Sequence, residues 1–381
     1  MNLALGGGMK AFGVGCLNFS FKEGMTREIT VQEYIDEVKN SLEKLSTVSD
    51  VEIFFDYDVG NEKIQTCEST KMKNGEPCHP LIPLYKLSFN LYLPKRVQGE
   101  LIGKERDNID TDSDNFKILF IHDWHGPFTI VESIGAGRSS SPSTAIQVVR
   151  EYLKKEIGLV SSILQLDYIG PSPFHADFFF SESSQENIDE FKVFELNHTK
   201  VPGYDDLSFS YSKNVFESED IAFDKFVFEL SSEVGFYYEL EAMNRKRFLD
   251  WCVIQDKLHD IMRLEDDGYK KTLKDRMSYK PKLLSGLYRD IGLYKGQEIQ
   301  FKNTCQQHYS SIYKSGKYSN YLMHFVDDLI NNWPSYPIAE TAEIISYFES
   351  KSSKSMELVI IFLASVFGGA VGAGITVIFG S

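Results

Sequence analysis

Residues 116–158 read FKILFIHDWHGPFTIVESIGAGRSSSPSTAIQVVREYLKKEIG, and the division of this run decides the fold. Two apolar stretches rich in aromatic and β-branched residues, 116–124 and 127–134, flank His125 and Gly126, the pattern of a tight hairpin. A Gly/Ser-rich segment, 135–144, then leads into apolar positions at helical spacing. A helix is expected near 142–157, with Ser141 as its cap, Pro142 in its first turn and Gly158 as its stop. Hairpin followed by helix implies an α+β domain.

The same pattern extends on both sides. Thr30 and Glu33 make a capping-box pair, and Val31, Tyr34, Ile35, Val38, Leu42 and Leu45 follow at helical spacing. Strands are expected at 16–21 and 51–59 around that helix, so the chain opens β-α-β. Further strands are expected at 86–94, 164–170, 175–181, 191–196 and 225–232, and loops at 60–80 and 98–115. After Ser232 the apolar period becomes 3.6. Helices are expected over 233–266, 283–294, 297–314 and 318–332, and the helical pattern resumes at Ile338.

The chain ends on an uncharged run, Leu358 to Phe379, in which only Ser365 and Thr376 are polar. At about 1.5 Å per residue such a run reaches about 33 Å as a helix, enough for a bilayer core of about 30 Å. Lys351 and Lys354 precede it, which by the positive-inside bias leaves the N-terminal part in the cytoplasm. Ala364, Gly368, Gly372, Thr376 and Gly380 recur every fourth residue, a row of small side chains suited to close helix–helix packing. The expected fold class is therefore an α+β cytoplasmic head followed by a helical region and a single C-terminal transmembrane helix. Its domains are 1–232, 233–337, a juxtamembrane stalk 338–357 and the span 358–380. The expected location is a membrane crossed once, the inner one in a bacterium. The expected partners are the lipid bilayer and further copies of the chain, associated through the span.

Charge narrows the partners further. Formal net charge is −15 over 381 residues, and the longest basic block is Arg245-Lys246-Arg247. Nucleic acid is not expected, because neutralising phosphates needs clustered cations. The five cysteines are widely spaced without a CxxC pair, which implies free thiols in a reducing compartment. The first 19 residues lack a basic leader, and Gly6, Gly7, Gly8 and Lys10 interrupt their apolar character, so they read as mature protein.

Two constellations could carry chemistry. Gly135, Gly137, Arg138, Ser139, Ser140 and Ser141 form a loop ending at a helix N-terminus, whose free N–H groups and dipole suit a phosphate or nucleotide. The GxxxxGK[ST] spacing of a P-loop is absent. Asp123 with His125, and His175 with Asp177, are pairs two residues apart on strands, so each shares a face. On neighbouring strands they would suit a metal. Glu190-Phe191-Lys192 imitates a nuclease triplet, but triplets of this kind recur by chance in so charged a chain.

The opening LALGGGMKAFG resembles the glycine-rich oxyanion segment of patatin-like lipases. The GxSxG elbow those enzymes need is absent, so the glycines read as a loop. The layout of head, long helices and membrane end is similar to that of CorA-type magnesium channels. That family carries two spans and a GMN motif, and this sequence has one apolar run and no GMN. The function expected is a tail-anchored protein with a ligand- or partner-sensing head, such as a membrane effector of a bacterial defence or stress system. The alternatives are a membrane-tethered metal-dependent hydrolase and a divalent-ion channel-like oligomer. The residues indicate no particular cofactor.

Overall fold

The computed structural model describes residues 9–22, 29–55, 63–64, 85–104, 111–123, 126–137, 141–168, 175–183, 193–266, 280–314, 320–351, 353–354, 357 and 361. Twelve strands are described: β1 (Lys10–Gly15), β2 (Leu17–Phe21), β3 (Ile29–Thr30), β4 (Val48–Phe55), β5 (Lys63–Ile64), β6 (Tyr85–Tyr92), β7 (Asn115–Asp123), β8 (Gly126–Ser133), β9 (Leu164–Tyr168), β10 (Ala176–Glu182), β11 (Phe194–Thr199) and β12 (Asp205–Tyr211). The helices are α1 (Val31–Glu43), α2 (Lys95–Ile102), α3 (Pro142–Val160), α4 (Glu219–Asp266), α5 (Lys280–Tyr313), α6 (Met323–Asn331) and α7 (338–351).

The chain divides into two compact units, 1–242 with 308–331, and 243–307 with 332–381. The first is built on an eight-stranded sheet of order β11-β12-β10-β1-β8-β7-β6-β4. Only β10 and β12 run parallel within it. Strands β7 and β8 form the expected hairpin, with Asp123 paired to Gly126. The capping box of α1 is present: Glu33 N–H donates to Thr30 Oγ1 at 3.1 Å, and Thr30 N–H donates to Glu33 Oε2 at 2.8 Å.

Strand β1 lies at the heart of the sheet, between β10 and β8. Alternation gives it two different faces. Phe12 and Val14 are fully buried. Phe12 packs on Phe178 of β10 and on Phe223 and Phe226 of α4. Phe226 is the centre of this layer, within 5.5 Å of the rings of Phe180, Phe194 and Phe209. On the opposite face stand Gly13 and Gly15, where α3 lies directly over the strand. A Cβ at Gly13 would fall 2.6 Å from Ile146 Cγ1, and closer still to the Pro142 carbonyl oxygen. Glycine in a strand interior usually marks such a close approach. A second apolar layer joins α1, α3, β2 and β9 to β6, β7 and β8, with Tyr34, Phe19, Phe89, Val149 and Leu153 buried in it.

The second unit is helical. Trp251, Ile254 and Ile261 of α4, Leu284, Leu287, Ile291 and Tyr294 of α5, and Ile338 and Ile345 of α7 share one core. Arg247 is buried beside it. Arg247 pairs with Glu298, donates to the Pro334 carbonyl at 2.7 Å and lies over the rings of Trp333 and Tyr336. The last member of the longest basic block is therefore a buried structural cation.

The expected C-terminal transmembrane helix is overturned: no helix among the described residues is long and apolar enough to cross a membrane. The last continuous helix, α7, is two-sided, burying Ile338, Thr341 and Ile345 while Glu340 and Glu349 are exposed. The single-pass membrane location and the tail-anchored class lose their basis with it. The small-residue row Ala364, Gly368, Gly372, Thr376 and Gly380 lies outside the described residues. Four element expectations are corrected as well. Residues 225–232 are not a strand but part of α4; of the glycines read as a loop, Gly13 lies in the central strand β1, while Gly6–Gly8 lie outside the described residues; residues 98–102 of an expected loop belong to α2; and the expected helices 283–294 and 297–314 are one, α5.

Candidate functional site

The corner where β10 begins gathers polar groups from four elements of the first unit. Helix α3 starts after Ser141, whose side chain makes no capping bond to the helix. The cap comes instead from β10. Ser143 N–H donates to Asp177 Oδ1 at 2.7 Å, and the Ser141 hydroxyl reaches Asp177 Oδ2 at 3.5 Å. Asp177 is buried, and its charge meets the positive end of the α3 dipole. The two sequence constellations thus converge: the expected ligand-binding loop ends at Ser141, and the anion placed there is the carboxylate of the expected metal ligand Asp177.

Next to Asp177, His175 has φ of 45°. This left-handed conformation is strained for a residue with a Cβ, and its carbonyl is fixed by Asp205 N–H at 2.7 Å. The exposed His175 ring meets Tyr204 edge-on, with centroids 5.6 Å apart. Burial, and then the charge of Asp177, push the Tyr204 phenol up. From α4, Glu241 completes the group. Burial raises its carboxyl, opposed by a hydrogen bond from Tyr237 and by His175. The four groups act on one another: His175 touches Tyr204, its charge acts on Glu241, whose carboxyl burial disposes to keep its proton, and Asp177, which caps α3, acts on Tyr204. Such juxtaposition of perturbed groups is a mark of functional sites.

Not all the sequence candidates come together. In the strand order β1 and β8 separate β10 from β7, so Asp123 stands three inter-strand steps, about 14 Å, from the His175–Asp177 strand. Among the described residues no group of three or more His, Cys, Asp or Glu side chains is placed to hold a metal ion. Arg138, Ser139, Ser140 and His125 lie outside the described residues. Gly135 has φ of 77° and turns the chain after β8, where Ala136 N–H donates to the Ser133 carbonyl at 3.2 Å. Gly137 follows it. Tyr204 and Glu241 were not legible as partners, since they come from a turn and from the middle of a long helix. The one local signal was Gly203-Tyr204-Asp205-Asp206, a turn glycine before two acids.

The fold and this corner define an α+β protein whose eight-stranded mixed sheet carries a carboxylate-capped helix on one face. No family model matches the chain, and no curated protein or solved structure is significantly similar to it.

Replacing Asp177 by alanine leaves Ser143 N–H without its acceptor and is expected to cost about 1–2 kcal/mol of stability. Asparagine keeps an oxygen in place and should cost roughly half of that, the remainder being the charge–dipole part. Urea unfolding of the two variants checks the order. Equal losses would mean that charge contributes nothing here.

Proposed function

We propose that the chain is a ligand-sensing protein, and that its ligand is a small organic cation bound where Glu241, His175, Tyr204 and Asp177 meet. The observation that carries this reading is the Glu241–His175–Tyr204–Asp177 set, open to solvent at His175 and built on strained backbone. Its charge favours a cation. The carboxyls of Asp177 and Glu241 act on Tyr204 and His175, Asp205 and Asp206 follow on β12, and the whole chain carries −15. The two tyrosines add aromatic surface of the kind that attracts ammonium and guanidinium groups. A cation beside Glu241 would offset the burial that now disfavours its ionisation, so uptake should strengthen as pH rises through the raised Glu241 value.

Thermal-shift measurements on the full chain with spermidine, arginine, ATP and inorganic phosphate test this. At a ligand concentration about 100-fold above Kd the stabilisation is about 2.7 kcal/mol, a shift of several degrees. Spermidine or arginine is expected to give that shift, and Glu241→Gln and His175→Ala to abolish it. A shift with phosphate or ATP alone would redirect the reading to the α3 N-terminus as a site for an external anion. No shift with either class would overturn it.

A further inference from the structure

Helix α6 packs on the hairpin of β11 and β12 through a pair of histidines. The His198 ring of β11 lies 5.3 Å from the His324 ring of α6 and 5.9 Å from that of Phe325. His198 Nε2 is 2.6 Å from Asp205 Oδ2 of β12. We propose that this pair makes α6 an acid-released latch, docked on β11–β12 while His324 is neutral and loosened when both imidazoles carry protons.

The charges around the pair decide which proton is tolerated. Asp205 faces His198 directly and is itself held below the usual carboxylate range, first by the His198 hydrogen bond. Lys200, in the turn after β11, also acts on Asp205. The His198 ring therefore has a carboxylate as its hydrogen-bond partner. His324 is placed differently. Asp327 and Asp328 of its own helix favour its charge, and Asp205 does so from β12. Asp327 is shared with the Tyr309 hydroxyl of α5, which donates to it at 2.8 Å. Against these stand first the partial desolvation of a ring that is still exposed on its outer side, and second the charge of His198, which together hold His324 below the ordinary imidazole value. His324 also sits in the first turn of α6, at the positive end of the helix dipole, where a cation is disfavoured.

The direction with pH follows. The unfolded chain protonates His324 near the ordinary value of about 6.5, while the docked chain does so only at lower pH. Docking loses stability as pH falls through about 6.5, and the loss is complete once pH is below the depressed folded value. Leu322 and Val326, fully buried when α6 is docked, are the apolar surface that release would expose. The inference does not depend on which ligand the first unit binds.

Hydrogen exchange of segment 320–331 in the full chain, at about pH 7.5 and about pH 5.5 and corrected for intrinsic rates, tests the latch. Wild type is expected to lose protection by on the order of fivefold or more at the lower pH. His324→Gln, which cannot charge, should keep its protection within about twofold. In His198→Gln the titration midpoint of His324, read by NMR of its ring protons, should rise toward the ordinary value. Equal wild-type protection at the two pH values overturns the proposal. So does acid loosening that persists in His324→Gln, or a His324 midpoint that stays put in His198→Gln.

Discussion

Gly13→Ala is expected to destabilise the sheet unit by about 3 kcal/mol, the upper part of the range for overpacking, and to lower its melting temperature by roughly 6–12 °C. The cause is steric and local. The added methyl would meet the Pro142 carbonyl oxygen and Ile146 Cγ1, and the first of these is backbone at the start of α3. A side-chain tip can rotate away, but a carbonyl moves only with its helix. Moving α3 would break the Ser143–Asp177 contact that caps it. Gly15→Ala is the control. Its methyl would meet only the side chain of Ile146, at 3.0 Å from Cγ2 and 3.2 Å from Cδ1, and should cost roughly half as much. Calorimetry of both variants decides. If Gly13→Ala melts within a degree of wild type, α3 does not need the bare backbone of β1.

That strand also marks a limit of sequence reading. Lys10–Gly15 has two glycines in six residues, which depresses strand propensity, and its neighbours Gly6–Gly8 encourage a loop reading. The glycines are there because a helix that is distant in sequence lies on them, and no local pattern reports that. Segment 225–232 misled in the opposite way. Phe226, Val227, Phe228 and Leu230 look like a strand when taken alone. With Phe223 and Val234 they show spacings of three and four, and Phe223, Phe226, Val227, Leu230 and Val234 are the buried residues, while Phe228 is exposed. A wider window separates the two periods. Strand β12, DDLSFSY, alternates cleanly but is short and polar on one side, too weak a local signal to mark a strand. By contrast α1, β6, the β7–β8 hairpin and α3 were legible from local signals, a capping box, alternation and helical spacing, although Ser141 does not cap α3 and the helix runs past Gly158 to Val160.

The candidate corner was half legible. His175 and Asp177 could be named from a two-residue spacing on a strand. Their partners could not, since Ser143, Tyr204 and Glu241 reach them only through the fold. The role of Asp177 shifted for the same reason: whether a carboxylate meets a metal or a helix N-terminus depends on what lies over the strand. The apolar run after Glu357 teaches a related lesson. Hydropathy measures what a segment gains by leaving water, not the place to which it goes.

Glu233→Ala is expected to have an effect as large as any single substitution in the first unit, about 3–5 kcal/mol. Glu233 is fully buried on α4. Its two oxygens accept from Tyr321 N–H at 2.9 Å and Leu322 N–H at 2.8 Å, the amides just before the first turn of α6. The carboxylate is thus an N-terminal cap supplied by a residue 88 positions away from the first of those amides. Its charge also meets the positive end of the α6 dipole. Alanine would leave both amides without this acceptor, that of Leu322 buried, and open a cavity beside Leu322, which is itself fully buried. Glutamine should recover part of the loss, about 1–2 kcal/mol, because one of its two polar atoms still accepts. The damage should concentrate in α6. Hydrogen exchange of 320–331 should accelerate far more than that of α1 or α3, and Tyr321 should lose its edge contact with Phe209, now at 5.6 Å. Because Glu233 and His324 anchor the same helix, the alanine variant should also erase the difference between neutral and acid pH by leaving α6 loose in both. If α6 stays protected in Glu233→Ala at neutral pH, its docking rests on its other contacts, Leu322, Val326 and the rings on β11, and the buried carboxylate does not hold it.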